Sequence, residues 1–142
     1  MTVKILDGKV AIVTGAGHGA GRAIAEALAA GGARVAVNDI NPDRAYRAAA
    51  ELRQTGGAAI GVMADVANRF QCVHLIETTR NEWGRIDILV NCAAIAPAAL
   101  PAFVRACARE FAPLGIRAHL LDVAGSPEEA AALVMGIVTN AE

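Results

Sequence analysis

The chain has 142 residues, enough for one domain with a real core, and its formal net charge of −1 offers no basic surface for nucleic acid. Hydrophobic residues make up 55% and aromatic ones only 4%, which predicts a core of Val, Ile and Leu under closely packed, alanine-rich helices. Met1 to Asp7 lacks the charged-then-apolar build of a signal peptide, and the longest uncharged run, Ile88 to Val104, is interrupted by Asn91, Pro97 and Pro101. A soluble, cytoplasmic protein without membrane contact is expected. Lys9 to Thr14 reads as a first strand, apolar throughout and so covered on both faces. A helix follows from Gly19 to about Ala30, with Ile24 and Leu28 one turn apart and Gly31-Gly32 as its stop. Arg34 to Asn38 is a second strand. Asn41-Pro42-Asp43 then supplies an N-cap, a proline at the first helical position and an acidic first turn. That helix turns Ala45, Ala48, Ala49 and Leu52 inward and ends at Thr55-Gly56-Gly57, before a third strand from Ala58 to Met63.

Asn68 to Trp83 is read as a third helix with Phe70, Val73, Ile76 and Trp83 on its inner face, and Arg85 to Asn91 as a fourth strand. Cys92 to Leu100 is an apolar, poorly patterned connector. Pro101 to about Phe111 reads as a helix and Ile116 to Leu121 as a fifth strand. Ser126-Pro127-Glu128-Glu129 combines an N-cap, a proline and a capping-box glutamate, opening a last helix that buries Ala130, Leu133, Val134, Ile137 and Val138. Strand and helix thus alternate five times. The pattern predicts a single α/β domain over residues 1–142, of three-layer Rossmann type, with a mostly parallel sheet of about five strands. Right-handed crossovers favour the strand order 3-2-1-4-5 and a switch point between strands one and four.

The residues that carry chemistry gather at the carboxyl ends of those strands. Thr14-Gly15-Ala16-Gly17-His18-Gly19-Ala20-Gly21 joins the first strand to the first helix. There Gly15 permits a tight turn, Gly19 lets the backbone approach a pyrophosphate, and Gly21 lets the helix pack on the strand. The N–H groups at the helix start favour an anion. Asp39, with Ile40 beside it, ends the second strand about twenty positions on, where a carboxylate accepts from a ribose 2′-hydroxyl and repels a 2′-phosphate. NAD is favoured over NADP, with His18 in the loop as a partial counterweight. Cys72, Cys92 and Cys107 form no CxxC pair, so reduced thiols are expected, and no metal site.

The spacing Thr14-Gly15, Gly19, Gly21 resembles the Thr-Gly-x-x-x-Gly-x-Gly motif of the short-chain dehydrogenase/reductase family. Asp65-Val66 is similar to its adenine-contacting pair. Trp83 to Asn91 resembles the approach to its Asn-Asn-Ala-Gly motif, which here reads Asn91-Cys92-Ala93-Ala94. The resemblance implies that Asn91 and Ala93 lie beside the nicotinamide-side ribose. Phe103 to Arg117 resembles the helix and strand that follow the family's active site.

Between these blocks the family carries a catalytic Ser and a Tyr-x-x-x-Lys, and this chain does not. Its only tyrosine is Tyr46, on the second helix, and its only lysines are Lys4 and Lys9. The reading is an internally shortened homologue with a deletion seam at residues 92–101, holding a dinucleotide but assigned no catalytic residue. Two alternatives stand beside it. One is an NAD-dependent oxidoreductase with a site rebuilt from Asp122, His119 or Cys92. The other is a non-catalytic interaction or regulatory subunit, pairing with itself or with a full-length relative.

Overall fold

An apolar strand with no polar face must be covered on both sides. Val10–Thr14 meets that condition in the computed structural model, which describes residues 4–92, 117–120, 128–129, 131–132 and 134–135. This segment, β1, is buried along its whole length. It lies in the middle of one parallel sheet with β2 (Arg34–Asp39), β3 (Ala58–Met63), β4 (Ile88–Asn91) and β5 (Arg117–Leu120), in the order β3-β2-β1-β4-β5. Val13 is in register with Val37 on one side and Val90 on the other. The parallel Rossmann-type sheet and its order are those expected from the alternation of strand and helix.

Side chains alternate across the pleat, so each strand serves both layers. On one face, Ala11, Val13, Val35, Val37, Ile88 and Val90 pack with α1 (Gly19–Ala30) and α2 (Pro42–Gln54), through Ile24, Ala25, Leu28, Ala48, Ala49 and Leu52. Full burial of a side chain such as Leu28 contributes about 1.5–3 kcal/mol. The helical residues Glu128, Glu129, Ala131, Ala132, Val134 and Met135 belong to the expected last helix, and Val134 enters this same core. On the other face, Ile12, Ala36 and Leu89 pack with Cys72, Leu75 and Ile76 of α3 (Arg69–Trp83).

Two expectations are corrected. Phe70 is 83% exposed and is not on the inner face of α3, which is instead lined by Cys72, Leu75, Ile76 and Thr79. Thr79 is tolerated there because its hydroxyl donates to the Leu75 carbonyl one turn back, at 2.8 Å. The fourth strand is also shorter than its apolar lead-in suggests, because Arg85 and Asp87 form a clamp rather than a ladder. Asp87 N–H donates to the Val10 carbonyl at 2.8 Å, Val10 N–H donates back to Asp87 Oδ2 at 2.8 Å, and Arg85 forks onto both carboxylate oxygens. The seam beyond Cys92 and the helix expected from Pro101 to Phe111 lie outside the described residues. Among the described residues, no helix is long and apolar enough to cross a membrane.

The Asp87 clamp makes a testable contribution. Partial burial pushes its carboxyl up, but the Arg85 and Val10 hydrogen bonds and the Arg85 and Lys9 charges outweigh that and leave it below the usual carboxylate range. A carboxyl lowered in the folded state stabilises the fold above the unfolded value of about 3.9, and that stabilisation is lost as the pH falls through the folded value. Asp87→Ala removes the acceptor of the fully buried Val10 N–H, so urea unfolding at pH 7 should show a loss of about 1–3 kcal/mol. The difference from wild type should shrink below about pH 4 as the wild-type carboxyl protonates. A loss that stays constant down to acid pH would contradict a charged clamp.

Candidate functional site

The glycine-rich turn requires its glycines for two different reasons. Gly15 and Gly19 have φ of 61° and 59°, in the left-handed region that side chains with a Cβ rarely adopt. At Gly21 the reason is steric, because an added Cβ would collide with the Gly15 carbonyl and crowd Ala16 Cα. The turn is fastened to the neighbouring strand by Ala16 N–H, which donates to the Asn38 carbonyl at 2.7 Å. Asn38, itself buried, spans from β2 to the end of β3 by donating to the carbonyls of Val62 and Ala64.

The start of α1 differs from the other helix starts. Asn41 caps α2 by accepting from Arg44 N–H, and Asn68 caps α3 by accepting from Phe70 and Gln71 N–H. At α1 the N-cap residue is His18, whose side chain makes no cap hydrogen bond, and no acidic residue occupies the first turn. Among the described residues its leading N–H groups receive no side-chain acceptor, and the Asp39 carboxylate bonds the turn ahead of them, at Gly17.

Asp39 closes the second side of this turn. The residue is only 2% exposed, yet its carboxylate is fully engaged at the junction of three elements. Oδ2 accepts from Gly17 N–H at 3.1 Å and meets His18 Nδ1 at 3.3 Å, while Oδ1 accepts from Asn41 N–H at 2.9 Å. Ile40 stands next to it, 64% exposed. At the end of β3, Asp65 forms a turn in which Oδ1 accepts from Ala67 N–H at 3.0 Å and its own N–H donates to Gln71 Oε1 at 2.7 Å. Val66 is buried beneath that turn.

The third side is a latch between β1 and β4, whose ends pair as Thr14 with Asn91. Thr14 Oγ1 donates to Asn91 Oδ1 at 2.5 Å and accepts from Cys92 N–H at 3.0 Å. Asn91 Oδ1 is thereby committed, and its Nδ2 has no partner among the described residues. Thr14, Gly15, His18, Gly19, Gly21, Asp39, Ile40, Asp65, Val66 and Asn91 thus all lie along the carboxyl edge of the sheet. Ala93 lies outside the described residues.

The residues considered for a rebuilt site are not assembled in the same way. Burial pushes the Cys92 thiol up to about 11, so it stays protonated at neutral pH and is a poor nucleophile. Cys72 is likewise raised to about 11, by burial and then by the charge of Asp65, and its Sγ–H donates to the Val66 carbonyl. His119 is on β5 and Asp122 lies outside the described residues. Tyr46 is exposed on α2, its ring edge packed over Gly61 at the far side of β3. No group of His, Cys, Asp and Glu among the described residues has the makings of a metal site. A separate cleft of about 440 Å³, lined by Lys4, Arg22, Glu26, Glu51, Thr55 and Gly56 among others, lies between α1 and α2 and reaches their C-terminal ends. Arg22 bridges it to Glu51, and it shares no residue with the carboxyl edge just described.

This arrangement has relatives. The family profile described as short chain dehydrogenase matches residues 9–102. The chain is 48% identical over 91 residues to D-threitol dehydrogenase from Mycolicibacterium smegmatis, a match covering 64% of this chain and 35% of that protein. It is 46% identical over 90 residues to sorbitol dehydrogenase from Cereibacter sphaeroides, covering 63% and 34%. The matched segment thus spans about a third of the length of these curated relatives. Among solved structures, a hydroxysteroid dehydrogenase from Escherichia coli superposes with a TM-score of 0.67 at 32% identity, covering 77% of this chain and 51% of that one. A 7α-hydroxysteroid dehydrogenase complexed with NADH and 7-oxo glycochenodeoxycholic acid superposes with a TM-score of 0.71 at 26% identity, covering 94% and 62%. Glycine turn, strand order and a profile match over more than half of the sequence agree, and the chain belongs to the short-chain dehydrogenase family.

Proposed function

We propose that this protein binds NAD(H) at the carboxyl edge of its sheet and does not itself carry out the carbonyl–alcohol chemistry usual in its family. The observation that supports the reading most strongly is the convergence of four separate segments there: the uncapped glycine turn, Asp39, the Asp65 turn and the Thr14–Asn91 latch. The residues suit a dinucleotide. The first-turn N–H groups of α1, with Thr14, Gly15, Gly19 and Gly21, would hold the pyrophosphate. Asp39 and Ile40, with His18, would hold the adenosine ribose, Asp65 and Val66 the adenine edge, and Asn91 and Ala93 the second ribose. When bound, the nicotinamide ring supplies hydride chemistry.

The carboxylate of Asp39 favours NAD over NADP, because a 2′-phosphate would be placed against a fixed negative charge. The second half of the proposal rests on the sequence. Carbonyl reduction needs a proton donor within hydrogen-bond reach of the substrate oxygen, and the family's Tyr-x-x-x-Lys is not present after Asn91. The single tyrosine, on α2, is remote from the latch. A cytoplasmic setting goes with the proposal, since Cys72 and Cys92 are free thiols.

Calorimetric titration should show NAD and NADH binding one site per chain. NAD at ten times its Kd should stabilise the fold by about 1.4 kcal/mol. Asp39→Asn should reduce the preference for NAD over NADP by about tenfold. An absence of binding at millimolar NAD would refute the reading. For the catalytic half, NADH oxidation against a panel of ketones and aldehydes should run at least about 10²-fold slower than in a full-length relative. A relative-like rate would refute the assigned lack of a proton donor.

A further inference from the structure

β3 is an outer strand, with β2 on one side and no strand on the other among the described residues. Peptide groups along a strand alternate between its two sides. Ala64, the residue after β3, donates its N–H to the Asp39 carbonyl, and the carbonyls of Val62 and Ala64 accept from the Asn38 side chain of β2. The even-numbered residues therefore face β2, and Ala59, Gly61 and Met63 turn their N–H and C=O groups away from the sheet.

An open edge of this kind is a template for another strand unless something blunts it. One such block is in place. Arg53, exposed in the last turn of α2, donates from Nη1 to the Ala59 carbonyl at 2.9 Å. Among the described residues the outward groups of Gly61 and Met63 receive no comparable cover. Apolar side chains flank them instead: Met63 is 42% exposed at the end of the strand, and Tyr46 is 55% exposed with its ring over Gly61.

This edge is complementary to itself. A two-fold axis through Gly61 sets Gly61 opposite the Gly61 of a second copy and Ala59 opposite its Met63. All three are outward residues, so each facing pair exchanges two N–H···O bonds in an antiparallel ladder. The two Tyr46 rings, each over its own Gly61, then stand beside the axis on one face of the joined sheet. Arg53 takes the Ala59 carbonyl out of that ladder, and it does so once in each copy. Both outer pairs thereby lose a bond. We propose that the outer edge of β3 is a pairing surface for a second copy of this chain, and that Arg53 is the guard that keeps it unpaired. The proposal is independent of the cofactor reading, because the edge shares no residue with the glycine turn, the Asp65 turn or the Thr14–Asn91 latch.

Sedimentation velocity over a concentration series tests it, on the wild type, Arg53→Ala and the double variant Arg53→Ala/Met63→Lys, with circular dichroism to check folding. Arg53→Ala should self-associate at least about tenfold more tightly than the wild type, as expected for two released hydrogen bonds. Growth should stop at the dimer, since one edge paired with itself is used up. The double variant should return to the wild-type level, because a lysine on the edge opposes pairing. Unchanged association of Arg53→Ala would overturn the proposal, as would association that the double variant retains in full or that runs on past the dimer. Hydrogen exchange on the dilute wild type supplies a check that needs no variant. The Gly61 and Met63 amides should exchange quickly while those of Ile60 and Val62 are protected by β2, and protection of all four would show the edge already occupied and overturn the guard.

Discussion

The carboxyl edge of the sheet depends on one buried carboxylate. Asp39 accepts from the glycine turn at Gly17, from the start of α2 at Asn41, and meets His18 at the head of α1. Without it, two backbone donors would lose their acceptor, that of Gly17 at a buried position. Its placement follows from the sheet. β2 pairs with β1 over Val10 to Val13, so the end of β2 necessarily stands beside the turn that leaves β1. A carboxylate at that end closes the turn and fixes a negative charge at the carboxyl edge.

The same sheet order explains why the remaining site residues converge. β1 has β2 on one side and β4 on the other, and the crossovers diverge to opposite faces, with α1 and α2 on one and α3 on the other. In sheets of this kind ligands enter where the crossovers diverge, here beyond the end of β1. The Thr14–Asn91 latch ties the ends of β1 and β4 at that point. At the opposite end of the same strands the Asp87 clamp does similar work, joining β4 to Val10. The central pair is thus pinned at both ends by side chains whose partners lie 77 residues away in sequence.

Much of this was legible from residue order. The apolar runs, the Asn41-Pro42 cap and the double-glycine stops are local signals, and among the described residues they mark α1 and α2 closely. Strand order followed from handedness. What sequence could not reveal was long-range side-chain geometry. The contact of His18 with Asp39, the bridge from Arg22 to Glu51 and the return bond from Asp87 to Val10 all depend on how distant elements meet. Phe70 departs from its sequence pattern for a different reason. The inner face of α3 includes a threonine satisfied by its own helix, which blurs the apolar stripe and makes the phenylalanine look inward.

The proposed dinucleotide site is the carboxyl edge of the sheet and not the charged cleft between α1 and α2. Amide chemical-shift mapping by NMR during titration with NAD distinguishes the two places. The largest perturbations should fall on Gly15 to Gly21, Asp39, Ile40, Asp65, Val66 and Asn91, with Arg22 and Glu26 shifting only slightly. Perturbations centred on Lys4, Glu51, Thr55 and Gly56, with the glycine turn unmoved, would contradict it.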